Sequence, residues 1–441
     1  MEISRLLILI QFIWFSLSVV ASDMAQSEKP RILISTDIGG TDPDDNQSMI
    51  HLLMYANEFD IEGLVSSPSF GEGSKNEILK MIGLYENDLP RLSSGLTATY
   101  GSTRGTFPSP EYLASITKQG AKGRAPHCGF RESTEGSEWI VKCARKEASR
   151  PLWILVWGTL DDVAQALHDA PDIADKIRVY WIGGPNKKWG CNAYSYIAEN
   201  FPALWFIENN ASYRGFIESS GDKSKYGTQF CDRFVRGSGA LGDDFPNYYK
   251  GSVKMGDSPS LFFLMNGNAD APMEEHWGGS FEQVDSLARY VLTGPVCDRD
   301  TVACYSLLEW VLDGPNADIP ADSICFTLTI DKQTWPGYYA GNGKYIVRYS
   351  PKAPGRLPYV ITSDIIGFTK QEGCITVGCK WPAIGEFSTV SNTIESHPLI
   401  MGKNWYTDIQ DYSSQWQGAS TILRHRNEIM KDWAIRFMWL R

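Results

Sequence analysis

The chain has 441 residues, 41 basic against 52 acidic, with 43% hydrophobic and 12% aromatic side chains. Such a composition supports a large core in two or three domains and excludes disordered and fibrous classes. A formal net charge of −11 leaves little to neutralise phosphates, so nucleic acid is excluded as a partner, while cations and neutral ligands suit the balance.

Residues 1–5 carry Arg5, residues 6–20 are almost wholly apolar, and Val19-Val20-Ala21 offers small residues for cleavage. This pattern predicts a signal peptide over 1–21. The protein is then secreted or periplasmic, with no transmembrane segment after cleavage and with cell-surface attachment left open. Cleavage removes Glu2 and Arg5, so the net charge stays at −11. Nine cysteines, an odd number, leave at least one thiol unpaired or paired between chains. None has C-x-x-C spacing, which argues against a zinc knuckle. Cys374 and Cys379 form a candidate local pair.

In chain order, Arg31–Thr36 (RILIST) reads as a strand ending at Asp37, followed by a Gly/Asp/Pro loop. Residues 47–58 place Met49, Ile50, Leu53 and Met54 on one helical face. Residues 61–66 read as a strand and 76–85 as a helix. Residues 95–138, rich in Gly, Ser and Pro, predict a functional lid. Strand 152–157, helix 160–168 and strands 177–182 and 204–207 continue the alternation. The fold class is therefore α/β, a mainly parallel sheet with helices on both faces and ligands at the strands' carboxyl ends.

From about residue 285 the pattern changes. The run ACYSLLEWVL reads as either helix or strand. ICFTLTI, GKYIVRYS, LPYVITS and CITVGC read as strands, separated by turns such as Gly341-Asn342-Gly343 and Pro354-Gly355. They predict an antiparallel β-sandwich. Helical spacing returns at Ile422, Ile429, Trp433 and Phe437. The expected organisation is an α/β domain at 30–284, a sandwich inserted at 285–400, and a C-terminal helix at 401–441 packing back on the first domain.

The segment from Ser35 to Asp45 places four carboxylates, Asp37, Asp42, Asp44 and Asp45, in nine residues at a strand end. Like charges this close repel, so a cation sits among them or protons are retained. Helix capping or an Asp-Pro turn explains one or two of them, not four. An oxygen-only ligand set favours Ca²⁺ or Mg²⁺ over zinc.

These residues resemble the nucleoside hydrolase superfamily, which opens with an Asp at the first strand end and an Asp-Asp pair at the first helix. The runs TDIGGTDPDD, Val156-Trp157-Gly158, Ile182 to Trp189, Ala211 to Gly215, Gly256 to Ser260 and Trp277 to Gly279 resemble an exported branch that includes a cellulose-binding protein. The resemblance implies Asp37 as metal-bound general base and one Ca²⁺ per chain held by Asp37, Asp45, the Trp157 carbonyl and Asp257. It implies that Asp44, Glu208 and Asn210 bind the sugar. The sequence departs from the family's pattern in a longer loop between Asp37 and the Asp44-Asp45 pair. Ser35 stands where the family has another Asp, and Gly256 where many members have a His.

The implied activity is calcium-dependent hydrolysis of an N- or O-glycosidic bond to a sugar, nucleoside or oligosaccharide. The alternative is a carbohydrate-binding protein without turnover. His127 in the lid and His276 are candidate proton donors, and His276, Trp189 and Trp277 are candidate substrate contacts, the indoles by stacking. The region around residues 335–349 resembles Ig-like modules of bacterial glycan-degrading enzymes, which bind sugar, brace the catalytic domain or hold a homo-oligomer together.

Overall fold

The computed structural model describes residues 28–378 and 388–441. The expected signal peptide and Cys379, and with it the candidate Cys374/Cys379 pair, lie outside the described residues. Apolar runs with no polar alternation need both faces covered, and the first sheet is built that way. Its strands β1 (Arg31–Thr36), β2 (Asp60–Ser66), β3 (Thr117–Gln119), β4 (Leu152–Val156), β5 (Ile177–Ile182) and β6 (Trp205–Asn209) are all parallel. The order is β3-β2-β1-β4-β5-β6, then a return strand at Trp405–Asp408, then β7 (Phe281–Gln283). The return strand is parallel to β6, and β7 closes the edge antiparallel to it.

Side chains alternate between the faces along each strand. Ile32, Trp153, Leu155 and Tyr180 join one apolar cluster with helices α1 (Asp44–Met54), α2 (Lys75–Tyr100), α7 (Ser258–Met265) and α8 (Arg426–Trp439). Leu33, Ile154 and Val179 join the other with α3 (Glu135–Ala144), α4 (Asp161–Asp169) and α6 (Cys191–Asn200). A short helix, α5 (Gly184–Trp189), follows β5. Among the described residues no helix is long and apolar enough to cross a membrane.

The expected lid is much shorter than residues 95–138. Helix α2 runs through Pro90, which lies on its exposed face, because Tyr85, Leu92 and Leu96 keep the buried stripe going. Residues 120–134 remain as a loop, and they are strapped down. Asp162, Asp161 and Gln165 accept the main-chain N–H groups of Ala121, Ala125 and Arg131 at 2.9, 2.5 and 2.8 Å.

The β-rich insertion is a mainly antiparallel, nine-stranded sheet rather than two separately bonded ones. It curls so that Trp310 and Tyr359, with three strands between theirs, bring their rings to 5.2 Å. The halves therefore face each other as in a sandwich. The ambiguous run becomes the strand Leu307–Asp313. Both of its faces are covered, so it lacks the alternation that distinguishes a strand. Trp310, Trp335 and Tyr349 belong to the same apolar cluster as Leu33 and Ile154.

The return strand joins the end of the chain to the first sheet. Trp405 is fully buried, stacked on Phe206 at 4.2 Å, and its indole donates to Glu208 at 3.2 Å. Trp405→Ala should cost about 3–5 kcal/mol in urea denaturation. A loss below about 1 kcal/mol would show that the return strand does not carry the sheet.

Candidate functional site

The chain leaves β1 at Thr36 and turns at once, with Gly40 N–H donating to the Asp37 carbonyl at 2.9 Å. Gly39 adopts φ +86°, and a Cβ there would lie 2.7 Å from Ser74 Cβ, so the longer loop depends on a glycine at this position. Helix α1 then opens directly on Asp44 and Asp45. Across from it Asp257 precedes α7, with Ser48 of α1 bonded to its carboxylate at 3.4 Å. Two helix N-termini thus aim at one spot, where their partial positive charge favours carboxylates.

Asp44, Asp45 and Asp257 offer carboxylate oxygens that all lie within 4.8 Å of one another. Asp37 hydrogen-bonds Asp45 and Ser69. Asp45 also accepts from Thr36 Oγ1. Burial pushes the Asp37 carboxyl up to about 6 and that of Asp44 up to about 7. Burial, followed by the repulsion of the neighbouring carboxylates, holds Asp45 and Asp257 well above the usual range. Lys254 approaches from one side, 3.4 Å from Asp44 and paired with Asp42. One ammonium does not offset four clustered carboxylates, two of them, Asp45 and Asp257, buried and two half-buried. Oxygen-only donors of this number fit a hard divalent cation.

The expected ligands converge, with one change of partner. Asp44, expected at the sugar, sits in the tight trio, while Asp37 stands beside Asp45 at its edge. The Trp157 carbonyl accepts from Asn186 Nδ2 at 2.8 Å, which leaves it one lone pair. Gly256 stands where a histidine was looked for. A Cβ there would come within 2.4 Å of Asp44 Oδ2, so a side chain at 256 would have to displace that carboxylate.

The Glu208/Asn210 pair is split in role. Glu208 is fully buried, and its oxygens are taken by Lys187 at 2.5 Å, Tyr194 at 2.9 Å, Trp405 at 3.2 Å and Asn210 Nδ2 at 2.9 Å. It therefore holds Asn210 rather than a ligand. The Asn210 Oδ1 atom is buried without a hydrogen-bond partner, a free acceptor beside Gly183 at the end of β5. Asp408, which the sequence reading passed over, accepts the N–H groups of Asn210, Ala211 and Ser212 at 2.9, 3.1 and 2.8 Å and fixes that loop. An Asp closing a short strand was the available signal.

Trp189 lies at the sheet's carboxyl end, 4.7 Å from the exposed Phe70 ring and stacked on Trp335 of the insertion at 5.3 Å. His276 and Trp277 do not reach the site. His276 is fully buried against Phe263, with both ring nitrogens on the carbonyls of Glu274 and Asn268, so no nitrogen is left for a substrate. Trp277 lines a cleft with Lys29, Pro30 and Tyr55, beside the segment that enters β1, at the opposite end from Asp37. His127 pairs with Asp322 of the insertion.

A parallel sheet with helices on both faces and a carboxylate cluster at the end of its first strand defines a nucleoside hydrolase-like α/β protein. A family model described as "Cellulose-binding Sde182, nucleoside hydrolase-like domain" matches residues 31–281, more than half of the chain, and the chain belongs to this family. A second model, a domain of unknown function (DUF5060), matches residues 301–364 within the insertion. Among solved structures, a nucleoside hydrolase-related protein from Saccharophagus degradans associated with carbohydrate metabolism is 19% identical. That match covers 79% of this chain and 100% of the other, with a TM-score of 0.48. The inosine-uridine preferring nucleoside hydrolase from Bacillus anthracis is 15% identical over 59% of this chain and 86% of its own, with a TM-score of 0.38. No curated protein matches the chain.

Two outcomes follow from these charges. Raised carboxyls make the folded chain bind more protons than the unfolded one between the ordinary value of 3.8 and the raised values of about 6 and about 7. Cation-free stability should therefore fall as pH rises through that window, and calcium should reverse the loss. Melting temperatures with chelator and with calcium, at about pH 5 and pH 8, check this; a pH-independent chelated protein would contradict it. Lys187→Met strands Glu208 as a lone buried charge, and should cost about 3–5 kcal/mol by chemical denaturation.

Proposed function

We propose that the protein is a secreted, calcium-dependent hydrolase of glycosidic bonds, acting on a sugar with free vicinal hydroxyls. The observation that carries this reading is the convergence of Asp37, Asp44, Asp45 and Asp257 on one spot at the carboxyl end of β1. Asp44, Asp45 and Asp257 would hold the cation, with Asp37 at its margin. Bound there, a divalent cation supplies Lewis acidity and lowers the pKa of water. Asp37 takes the proton of the water that attacks the anomeric carbon, worth about 10²- to 10⁴-fold. The carboxylates around it favour the positive charge that develops on the sugar ring. Asn210 offers its free Oδ1 to a sugar hydroxyl.

A second reading, a carbohydrate-binding protein without turnover, is favoured by a specific observation. No histidine hydrogen-bonds any of these carboxylates among the described residues, and a glycine occupies position 256, where many nucleoside hydrolases have a histidine. The family's description as cellulose-binding is consistent with it.

Asp37→Asn separates the two. An amide still offers an oxygen but accepts no proton, so calcium affinity should be largely kept while turnover falls on the order of 10²-fold or more. Asp257→Ala should weaken calcium binding and be partly rescued by excess metal. The assay is reducing-sugar release from nucleosides and aryl glycosides, with and without chelator. A wild type that binds oligosaccharides and releases nothing from any substrate, with chelator making no difference, would replace the hydrolase with the binding protein.

A further inference from the structure

The cations beside the acidic cluster are matched by carboxylates, with notable exceptions. Lys254 is paired with Asp42 and Asp44. Lys188 is paired with Asp331 at 2.8 Å and bonded to Gln333 at 2.7 Å. Arg214 and Lys352 have no carboxylate within ion-pair distance among the described residues, yet both are half-buried.

Arg214 lies just beyond Asn210, its guanidinium 4.2 Å over the Trp416 ring and 5.3 Å over Tyr213. Its Nε is buried without a hydrogen-bond partner. Lys352 comes from the insertion. The preceding Pro351 carbonyl accepts the Tyr305 N–H at 2.7 Å, and the Tyr305 hydroxyl meets Arg214, so one tyrosine ties the two cations together. Burial, then repulsion from Lys188 and Arg214, holds the Lys352 ammonium below the usual lysine range, against a smaller opposing pull from the more distant Asp331 and Asp42. After burial, the charges that act on the Tyr213 hydroxyl include Arg214, Asp44 and Asp257. Arg214 and Lys352 are thus near enough to act on one another, and Tyr213, under the Arg214 guanidinium, links them to the carboxylate cluster.

An unpaired guanidinium that has lost much of its water costs free energy until an anion completes it. Neutral sugars supply none. A planar guanidinium with a neighbouring ammonium matches a carboxylate, which takes the guanidinium fork and a point charge together. We propose that the site takes sugars bearing a carboxylate, that is, uronic-acid glycosides, with Arg214 and Lys352 gripping the carboxylate while ring hydroxyls face Asp37, Asp44, Asp45 and Asp257. This rests on the reading that the cluster binds sugar with a cation. The same anionic chemistry comes from a sugar sulfate, and the test separates the two sources.

Calorimetric titration of the full chain in calcium would use methyl glucuronoside and galacturonoside, the matching neutral glucoside and galactoside, and a sulfated galactoside. The uronosides should bind on the order of tenfold tighter than their neutral partners. In Arg214→Gln and Lys352→Met the acidic-to-neutral affinity ratio should fall towards one, with thermal melts confirming that both variants fold. Equal binding of acidic and neutral sugars overturns this inference and leaves the calcium–sugar reading standing. So does an unchanged ratio in both variants, or a preference for the sulfate ester over the uronosides. Binding of none of them overturns both readings.

Discussion

Buried like charges set the terms for the rest of this molecule. At separations of 4.8 Å or less, each ionised pair of carboxylates repels by at least about 3 kcal/mol at an effective dielectric constant of about 20. The surrounding structure works to hold such a group together: a glycine turn after β1, two helix N-termini aimed inward, Lys254 at the side, and a glycine at 256 that leaves room. Protons or a cation complete the balance, and which of them does so depends on pH and on metal supply.

The insertion takes part in the same surface. Trp335 stacks on Trp189, Asp331 pairs with Lys188, and Arg348 donates to the His127 carbonyl. A module tethered only by its two linkers would be free to move. Here the apolar cluster runs without a break from the α/β sheet into the curled sheet, so the insertion is packed against the α/β domain rather than merely tethered to it.

Much of this was legible beforehand, for physical reasons that differ by element. Strands β1, β4 and β5 showed as short β-rich runs because both of their faces are covered by helices. Four Asp residues in nine marked the cluster, since no local capping requirement uses so many. The long helix α2 was cut short because Pro90 looks like a terminator until its exposure is known. His276 and Trp277 were misplaced because a side chain's direction depends on packing that spacing does not encode. The resemblance implied Glu208 as a sugar ligand, and only the fold brings Lys187, Tyr194 and Trp405 onto its carboxylate. Lys352 and Phe70 left no signal at all, and Arg214 showed only as part of the run Ala211 to Gly215, since each gains its meaning from neighbours far away in the chain.

The return strand has a consequence for how the protein is made. Its partner β6 ends at Asn209 and it begins at Trp405, with the whole insertion between them. Until those last residues leave the ribosome, β6 has an open edge and the loop after it lacks the Asp408 carboxylate that shapes it. Long-range closure of this kind is slow, and an unpaired apolar edge invites other chains. The loop that carries Asn210 therefore takes its final shape only at the end of synthesis, after the insertion has been made.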